Sequence, residues 1–212
     1  MRAVVRGGIA ALLWLAPAPA AAQDACAEHM KWPAVGQWAE YKGTYEKKDP
    51  VTTRYAVVGS EQRDGREYKW IELKLRDEKK QQDIIYQMLV TGNPVETGDV
   101  QEVVMKSGSD PAMKLGGMMM KMMRGQLAKN SAFHDICKEA TLVGTEKVSV
   151  PAGSFTAKHY QSEKYETNTW VDPSAGFPMV KTVGKSHQME LVATGSGAKS
   201  SITETPRELG KQ

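Results

Sequence analysis

One stretch of this chain, Pro111–Asn130, has the period of an amphipathic helix and holds six of the twelve methionines. On a wheel of 3.6 residues per turn its apolar side consists of Leu115, Met119, Met122, Met123 and Gln126, with Met120 and Leu127 at the edge. The opposite side is basic and consists of Lys114, Lys121, Arg124 and Lys129. Pro111 suits the first helical position and Asn130 suits the end, so we predict one helix here.

Strand patterns occupy the chain on both sides of the predicted helix. The segments before it are Gly36–Glu46, Thr52–Gly59, Tyr68–Leu75, Asp83–Val90 and Val100–Lys106. The segments after it are Thr141–Val150, Ser154–Gln161, Glu166–Val171, Pro178–Val183 and Gln188–Thr194, with Ser200–Thr205 as a further short candidate. Short turns join most of these strands, which is typical of an antiparallel meander.

The number of predicted strands and the lone helix together indicate the fold class. No shift in composition marks a second domain, so we predict one domain over residues 23–205 and a polar tail over 206–212. A single sheet of about 10 to 11 strands must curl. We therefore predict a mainly β (α+β) fold, in which a curved antiparallel sheet forms an open, unclosed barrel and the Met-rich helix is its lid.

The first 22 residues have the pattern of a secretory signal. Arg2 and Arg6 form the basic start, and Ile9–Leu15 is an apolar run too short to cross a bilayer. Small residues at Ala20–Ala22 favour cleavage after about Ala22. We therefore expect a periplasmic or secreted protein, and no other stretch has the length and hydropathy of a membrane span.

Charge gives no indication of a nucleic-acid partner. The full chain has 28 basic and 25 acidic residues, and Arg2 and Arg6 leave with the signal. The net charge of the remaining chain is therefore about +1, without a basic stretch of the kind that binds phosphate backbones.

The chain contains two cysteines, Cys26 and Cys137. An exported protein meets an oxidising compartment, which favours a disulfide between them. Such a bond would close a loop of about 110 residues and contribute about 4 to 5 kcal/mol in the chain-entropy model. A reduced pair and a metal site containing Cys137 and His134 are the alternatives.

Several local patterns carry a resemblance to a known superfamily. They are Val148–Phe155 (VPAGSF at its core), His159–Tyr160, Thr169–Val171, Pro178–Lys181, Glu190–Leu191 and, near the start, Val35–Trp38 with Tyr41. With these patterns the chain resembles exported bacterial proteins grouped near the periplasmic lipoprotein carriers (LolA/LolB-like). That resemblance implies an unclosed β-barrel lidded by helices, with acyl chains or other apolar ligands bound inside. No motif carries a ligand residue of the carriers onto this sequence.

Three interpretations of the methionine face remain open. The face is simply a packing stripe, or it is a lid over an apolar cavity whose wall contains Trp38, Trp70 and Trp170. In the lid interpretation Gly116–Gly117 is a hinge, and the basic side of the helix meets anionic head groups at a membrane surface. In the third, thioethers bind Cu(I), with Met118, Met119, Met122, Met123 and His134 as candidate ligands.

Catalytic motifs are missing from the sequence. It contains no GxSxG, HExxH, P-loop or CxxC pattern, and its four histidines lie on different segments. We therefore predict an exported, non-enzymatic protein without a cofactor that binds a lipid or another apolar molecule between Leu115, Met119, Met122, Met123 and the tryptophans. The alternatives are a periplasmic Cu(I)-binding protein and a purely structural or interaction module.

Overall fold

The computed structural model describes residues 26, 28–45, 50–77, 82–91, 100–122 and 140–209. Within these residues the chain is mainly β and forms one twelve-stranded sheet that is not closed into a barrel. The predicted fold class is therefore confirmed. The signal segment, Met123, His134 and Cys137 lie outside the described residues.

The sheet consists of a meander, a second antiparallel series and two short strands. The strands are β1 (Trp38–Tyr45), β2 (Val51–Arg63), β3 (Arg66–Asp77), β4 (Gln82–Val90), β5 (Val100–Ser107), β6 (Met113–Leu115), β7 (Thr141–Val150), β8 (Gly153–Ser162), β9 (Thr167–Val171), β10 (Met179–Gly184), β11 (His187–Gly195) and β12 (Arg207–Leu209). Their order across the sheet is β12-β6-β5-β4-β3-β2-β1-β11-β10-β9-β8-β7. All neighbours are antiparallel except β12 and β6, which are parallel.

The two strands that the sequence patterns did not predict are the short ones, β6 and β12. Residues 200–205 contain no strand, and β12 lies in the segment predicted as a polar tail. The predicted helix is also wrong at its start, because Met113–Leu115 form β6 and the helix spans only 117–122 in the part of the chain that is described. The pairing of β6 with β5 and β12 outweighs the local helical period.

The inner face of the sheet carries the main core. It includes Tyr41 from β1, Val57 from β2, Ile71 from β3 and Leu191 from β11, all without solvent exposure. Two hydrogen bonds show the curl of the sheet. Tyr41 Oη donates to the carbonyl of Met179 at 2.8 Å, across the intervening strand β11, and Ala152 N donates to Leu191 O at 3.2 Å. The curl lets one face enclose its own apolar side chains.

The N-terminal segment packs into this core. Cys26 and Met30 are fully buried, and Met30 N donates to Cys26 O at 3.1 Å. Lys69 on β3 holds the following residues by donating to the carbonyls of Trp32 and Pro33 at 3.2 and 3.0 Å. Cys26 is not a free thiol. Its predicted partner Cys137 is outside the described residues, so the pairing stays a prediction.

The outer face is covered at its centre by residues 196–206, which we call the strap. The strap is anchored by Glu72 of β3, whose side chain is only 1% exposed. This carboxylate accepts hydrogen bonds from Gln87 Nε2 at 2.8 Å, Ser201 N at 2.8 Å and Ser201 Oγ at 2.6 Å. A buried carboxylate needs hydrogen-bond donors of this kind, because a carboxylate that is buried without them destabilises the folded state.

Beyond Ser201 the strap continues to the edge of the sheet. Ile202 packs against Ile85, Val104 and Ala112, with Trp70 beside them. Glu204 accepts from Ala112 N at 3.3 Å and contacts Lys106. After the strap, the chain enters β12 at Arg207, next to β6. The Arg207 N–H donates to Ala112 O at 2.8 Å.

Replacing Glu72 tests the anchor. In the Glu72→Gln variant, the new amide NH₂ group faces the donors that bind the carboxylate in the wild type. We therefore expect the free energy of unfolding, measured by urea denaturation, to fall by about 2 to 3 kcal/mol. Glu67→Gln, an exposed site on the same strand, is the control, and we expect it to change stability by no more than about 0.5 kcal/mol. Equal effects of the two substitutions would contradict the role of Glu72.

Candidate functional site

The short helix at 117–122, which we call the Met helix, exposes most of its methionines. Met118, Met119 and Met122 are 79%, 45% and 63% exposed, whereas Met120 is 7% exposed. The interpretation of the methionine face as a simple packing stripe therefore does not hold for Met119 and Met122. The helix begins later than predicted, and its orientation is set by Met120, which packs against Val103 and Leu115 on the inner face.

The Met helix is attached to the end of the main core. Met88 and Val100 pack against both the main core and the cluster that holds Met120. Met119 N and Met120 N both donate to Gly116 O, at 3.1 and 3.3 Å. Gly117 has a left-handed backbone (φ +41°), which turns the chain from β6 into the helix at little cost for a glycine.

A groove of about 500 Å³ lies between the Met helix and the β6–β12 edge of the sheet. It is lined by Lys114, Leu115, Gly116, Gly117, Met118, Met119, Glu208 and Leu209. Its apolar lining therefore comes from the side chains of one leucine in β6, two methionines of the helix and the last residue of β12. Of the predicted ligand residues, the structure brings Leu115 and Met119 to this groove.

Lys114 provides the polar edge of the groove and is held by an ion-pair network. Its Nζ contacts one oxygen of Glu102, and Arg63 Nη2 lies 2.6 Å from the other. Burial raises the pKa of Glu102, but the hydrogen bonds from Lys114 and Arg63 outweigh it and hold the pKa below its ordinary value. The carboxylate thus stays ionised and fixes Lys114 beside the groove.

Two of the predicted tryptophans lie on the outer face, away from the Met helix. Ala39 and Ile71 point into the main core, so their neighbours Trp38 and Trp70 point to the opposite side. Trp70 packs in the cluster beneath the strap, and Trp38 lies under the guanidinium of Arg54, at 4.6 Å from the ring centre. The predicted cavity wall that combines them under the helix is therefore wrong.

Trp170 belongs to a third, separate location at the far end of the sheet. It pairs directly with His159, and the two rings stack with centres 4.5 Å apart. His159 Nε2 lies 2.8 Å from Asn168 Oδ1 and Nδ1 lies 3.3 Å from Glu146 Oε1, an oxygen that also accepts from Trp170 Nε1. These contacts hold the His159 ring against Trp170 and favour a structural role for Trp170.

A second pocket lies on the outer face and was not predicted. It has a volume of about 270 Å³ and is lined by Glu40, Thr52, Arg54, Lys74, Arg76 and Asp83. Asp83 lies 2.8 Å from Lys74 Nζ and 3.0 Å from Arg76 Nη1. The hydrogen bond from Lys74, together with that from Arg76, lowers the pKa of Asp83 despite its partial burial. The sequence pattern showed Asp83 only as a strand-end residue.

The predicted copper ligands are only partly described. Met118, Met119 and Met122 lie on one short helix, and Met123 and His134 are outside the described residues. Among the residues that the structure describes, no group of three or more His, Cys, Asp and Glu is arranged to hold a metal ion. Nor does any helix in those ranges have the length and hydropathy to cross a membrane.

Two solved structures are similar to this chain. One is a Bacteroides fragilis protein described as exported and with a YmcC-like fold, at 9% identity and a TM-score of 0.39, covering 79% of this chain and 99% of that one. The other is a Parabacteroides distasonis protein described as a lipoprotein, at 11% identity and a TM-score of 0.37, covering 78% and 98%. No family model and no curated protein matches the chain. At these identities and TM-scores, neither structure assigns a function to it.

Two buried tyrosines on the sheet form a natural comparison. Burial raises the pKa of both Tyr41 and Tyr160. The Tyr41 hydroxyl donates to the Met179 carbonyl, whereas the Tyr160 hydroxyl has no hydrogen-bond partner among the described residues. Tyr41→Phe leaves that buried carbonyl without its donor, so we expect a loss of about 1 to 2 kcal/mol in urea unfolding. Tyr160→Phe removes a hydroxyl without a partner and should leave stability unchanged or raised. Equal losses in both variants would contradict this assignment.

Proposed function

We propose that this protein is exported and binds an apolar ligand, such as a lipid acyl chain, in the groove beside the Met helix, without catalysing a reaction. The observation that carries the proposal is the exposure of Met118 and Met119, which line a groove of about 500 Å³, with Met122 exposed on the same helix. Exposed apolar side chains that line a concavity are typical of ligand sites. Methionine suits a site for varied chains because its side chain is flexible and polarizable.

The attachment of the Met helix supports an opening movement. Within the described part of the helix, Met120 is the one residue that is buried, so lifting it exposes one side chain at a cost of about 1.5 to 3 kcal/mol. Gly116 precedes the helix and Gly117 is its first residue, and both allow the backbone to bend there. The ligand enters between the helix and the β6–β12 edge, and its burial against the methionines compensates for the exposure of Met120.

Export and a relation to the LolA/LolB-like carriers belong to the same proposal. The signal pattern of residues 1–22 supports export. The burial of Cys26, which is not a free thiol, supports the Cys26–Cys137 disulfide. Such a bond would tie the core beneath β1 to the segment that follows the Met helix and so limit how far that segment moves.

The lining of the groove can be tested with the exposed methionines. We expect the variant Met118→Ser, Met119→Ser, Met122→Ser to bind a fluorescent fatty acid about tenfold or more weakly than the wild type, because the ligand loses apolar contact area. The measurement is a fluorescence titration of the signal-free protein. These side chains are exposed, so the fold should be retained, as checked by circular dichroism.

The matched control is a pair of exposed apolar residues elsewhere. Leu142 and Val143 lie on β7 at the opposite edge of the sheet. We expect Leu142→Ser, Val143→Ser to leave fatty-acid affinity unchanged. If wild type binds no fatty acid, or if both variants weaken binding equally, the groove is not the site.

Copper binding is the second candidate, favoured by the exposure of three thioethers on one helix. Met118 and Met122 are four residues apart and Met119 and Met122 are three apart, spacings that bring side chains together. Changing all three to leucine separates the candidates, since it keeps the apolar lining and removes the sulfur. The lipid proposal predicts unchanged fatty-acid affinity and no loss of Cu(I) affinity in a chelator competition. A loss of Cu(I) affinity of about tenfold or more would favour copper.

A further inference from the structure

The outer-face pocket brings like charges into direct opposition. In the register of the sheet, Arg54 on β2 pairs with Glu40 on β1 and with Lys74 on β3. Two cations directly opposite on neighbouring strands destabilise a sheet. Lys74 offsets this by its contact with Asp83, which it shares with Arg76. The arrangement leaves a concavity of about 270 Å³ between these strands, lined by three basic and two acidic side chains and by Thr52.

Arg54 is held in place without a carboxylate partner among the described residues. Its guanidinium lies over the ring of Trp38 at 4.6 Å, although Glu40 is its direct cross-strand neighbour. A cation–π contact restrains the guanidinium but uses none of its N–H donors. Among the described residues, the N–H groups of Arg54 have no hydrogen-bond partner, and its guanidinium lines the pocket.

Trp38 is itself fixed by a close contact with β11. Trp38 pairs with Gly195, and a Cβ atom at that position would lie only 2.6 Å from the indole ring. Glycine is thus required for the ring to lie flat on the neighbouring strand. The absence of a side chain at Gly195 therefore makes room for the Trp38 ring, and the Trp38 ring in turn orients Arg54.

We propose that this outer-face pocket binds a phosphate group, with Arg54 and Lys74 as its cationic ligands and the Thr52 hydroxyl as a further donor. A guanidinium presents paired N–H donors that match two oxygens of a phosphate, and an ammonium adds a point charge. The bound dianion would relieve the repulsion between Arg54 and Lys74. Asp83 competes with the phosphate for Lys74 and Arg76. The proposal is independent of the groove, which lies at the sheet edge.

Two kinds of molecule carry this chemistry, a soluble phosphate ester and the head group of a membrane phospholipid. The first is tested by calorimetric titration of the signal-free protein with inorganic phosphate and with glycerol phosphate. The second is tested by co-sedimentation with vesicles of phosphatidylcholine that contain phosphatidylglycerol. Binding of either kind that depends on Arg54 supports the site and identifies its source.

Three single substitutions make the test specific. We expect Arg54→Gln to weaken binding about tenfold. Asp83→Asn should strengthen binding several-fold, because it removes a competing negative charge and releases Lys74. Lys147→Gln removes the same charge from an exposed position on β7 and should change nothing. Circular dichroism and melting temperatures establish that each variant is folded.

The outcomes are decisive in both directions. A loss with Arg54→Gln and a gain with Asp83→Asn, in either the soluble or the vesicle measurement, support the phosphate pocket. If neither probe binds, or if Arg54→Gln and Lys147→Gln reduce binding equally, the pocket is only a charged surface and the proposal is overturned. The Met118, Met119 and Met122 variants should leave phosphate binding unchanged, so this result is separable from the fatty-acid titration.

Discussion

The buried carboxylate of Glu72 is the constraint on which the C-terminal part of the structure depends. Because a buried carboxylate needs donors, the chain after β11 must cross the outer face and present Ser201 to it. The crossing places Ile202 over the outer apolar cluster and delivers Arg207–Leu209 beside β6 as the one parallel strand of the sheet. One wall of the groove beside the Met helix is therefore formed by a segment that follows the anchor between Glu72 and Ser201, two residues 129 positions apart in the chain.

The two faces of the sheet differ in what covers them. The sheet curls so that its inner face encloses its own side chains, and Tyr41 donates a hydrogen bond across one strand to Met179. At one end of this face, Met120 alone from the described part of the Met helix packs over Val103 and Leu115. Among the described residues, the strap covers the centre of the outer face, and the charged pocket around Arg54 lies on the same face. The proposed apolar site at the edge and the proposed phosphate pocket on the outer face are thus physically separate parts of one sheet.

Ten of the twelve described strands could be predicted, because local patterns of apolar side chains and turn residues mark them. Tyr68 to Leu75 is the clearest case, since Ile71 enters the main core and Trp70 packs on the opposite face as the alternation indicates. The start of the helix could not be predicted, because Met113–Leu115 become a strand through partners supplied by β5 and β12. The strap could not be predicted either, because its side chains follow no periodic pattern and the hydrogen bonds that anchor it join residues far apart in the sequence. The tryptophans were placed by residue type alone, so Trp38 and Trp70 were expected on the wrong face, and the pocket around Arg54 was missed because its residues come from four strands.

The central claim is that an apolar ligand lies between the Met helix and the β6–β12 edge. The most direct test is photocrosslinking of the signal-free protein with a diazirine-bearing fatty acid, followed by mass spectrometry of the labelled peptides. The account predicts adducts on residues 113–122 and 207–209, which are reduced by competition with unlabelled fatty acid. Adducts confined to other segments, or labelling that unlabelled fatty acid does not reduce, would contradict it.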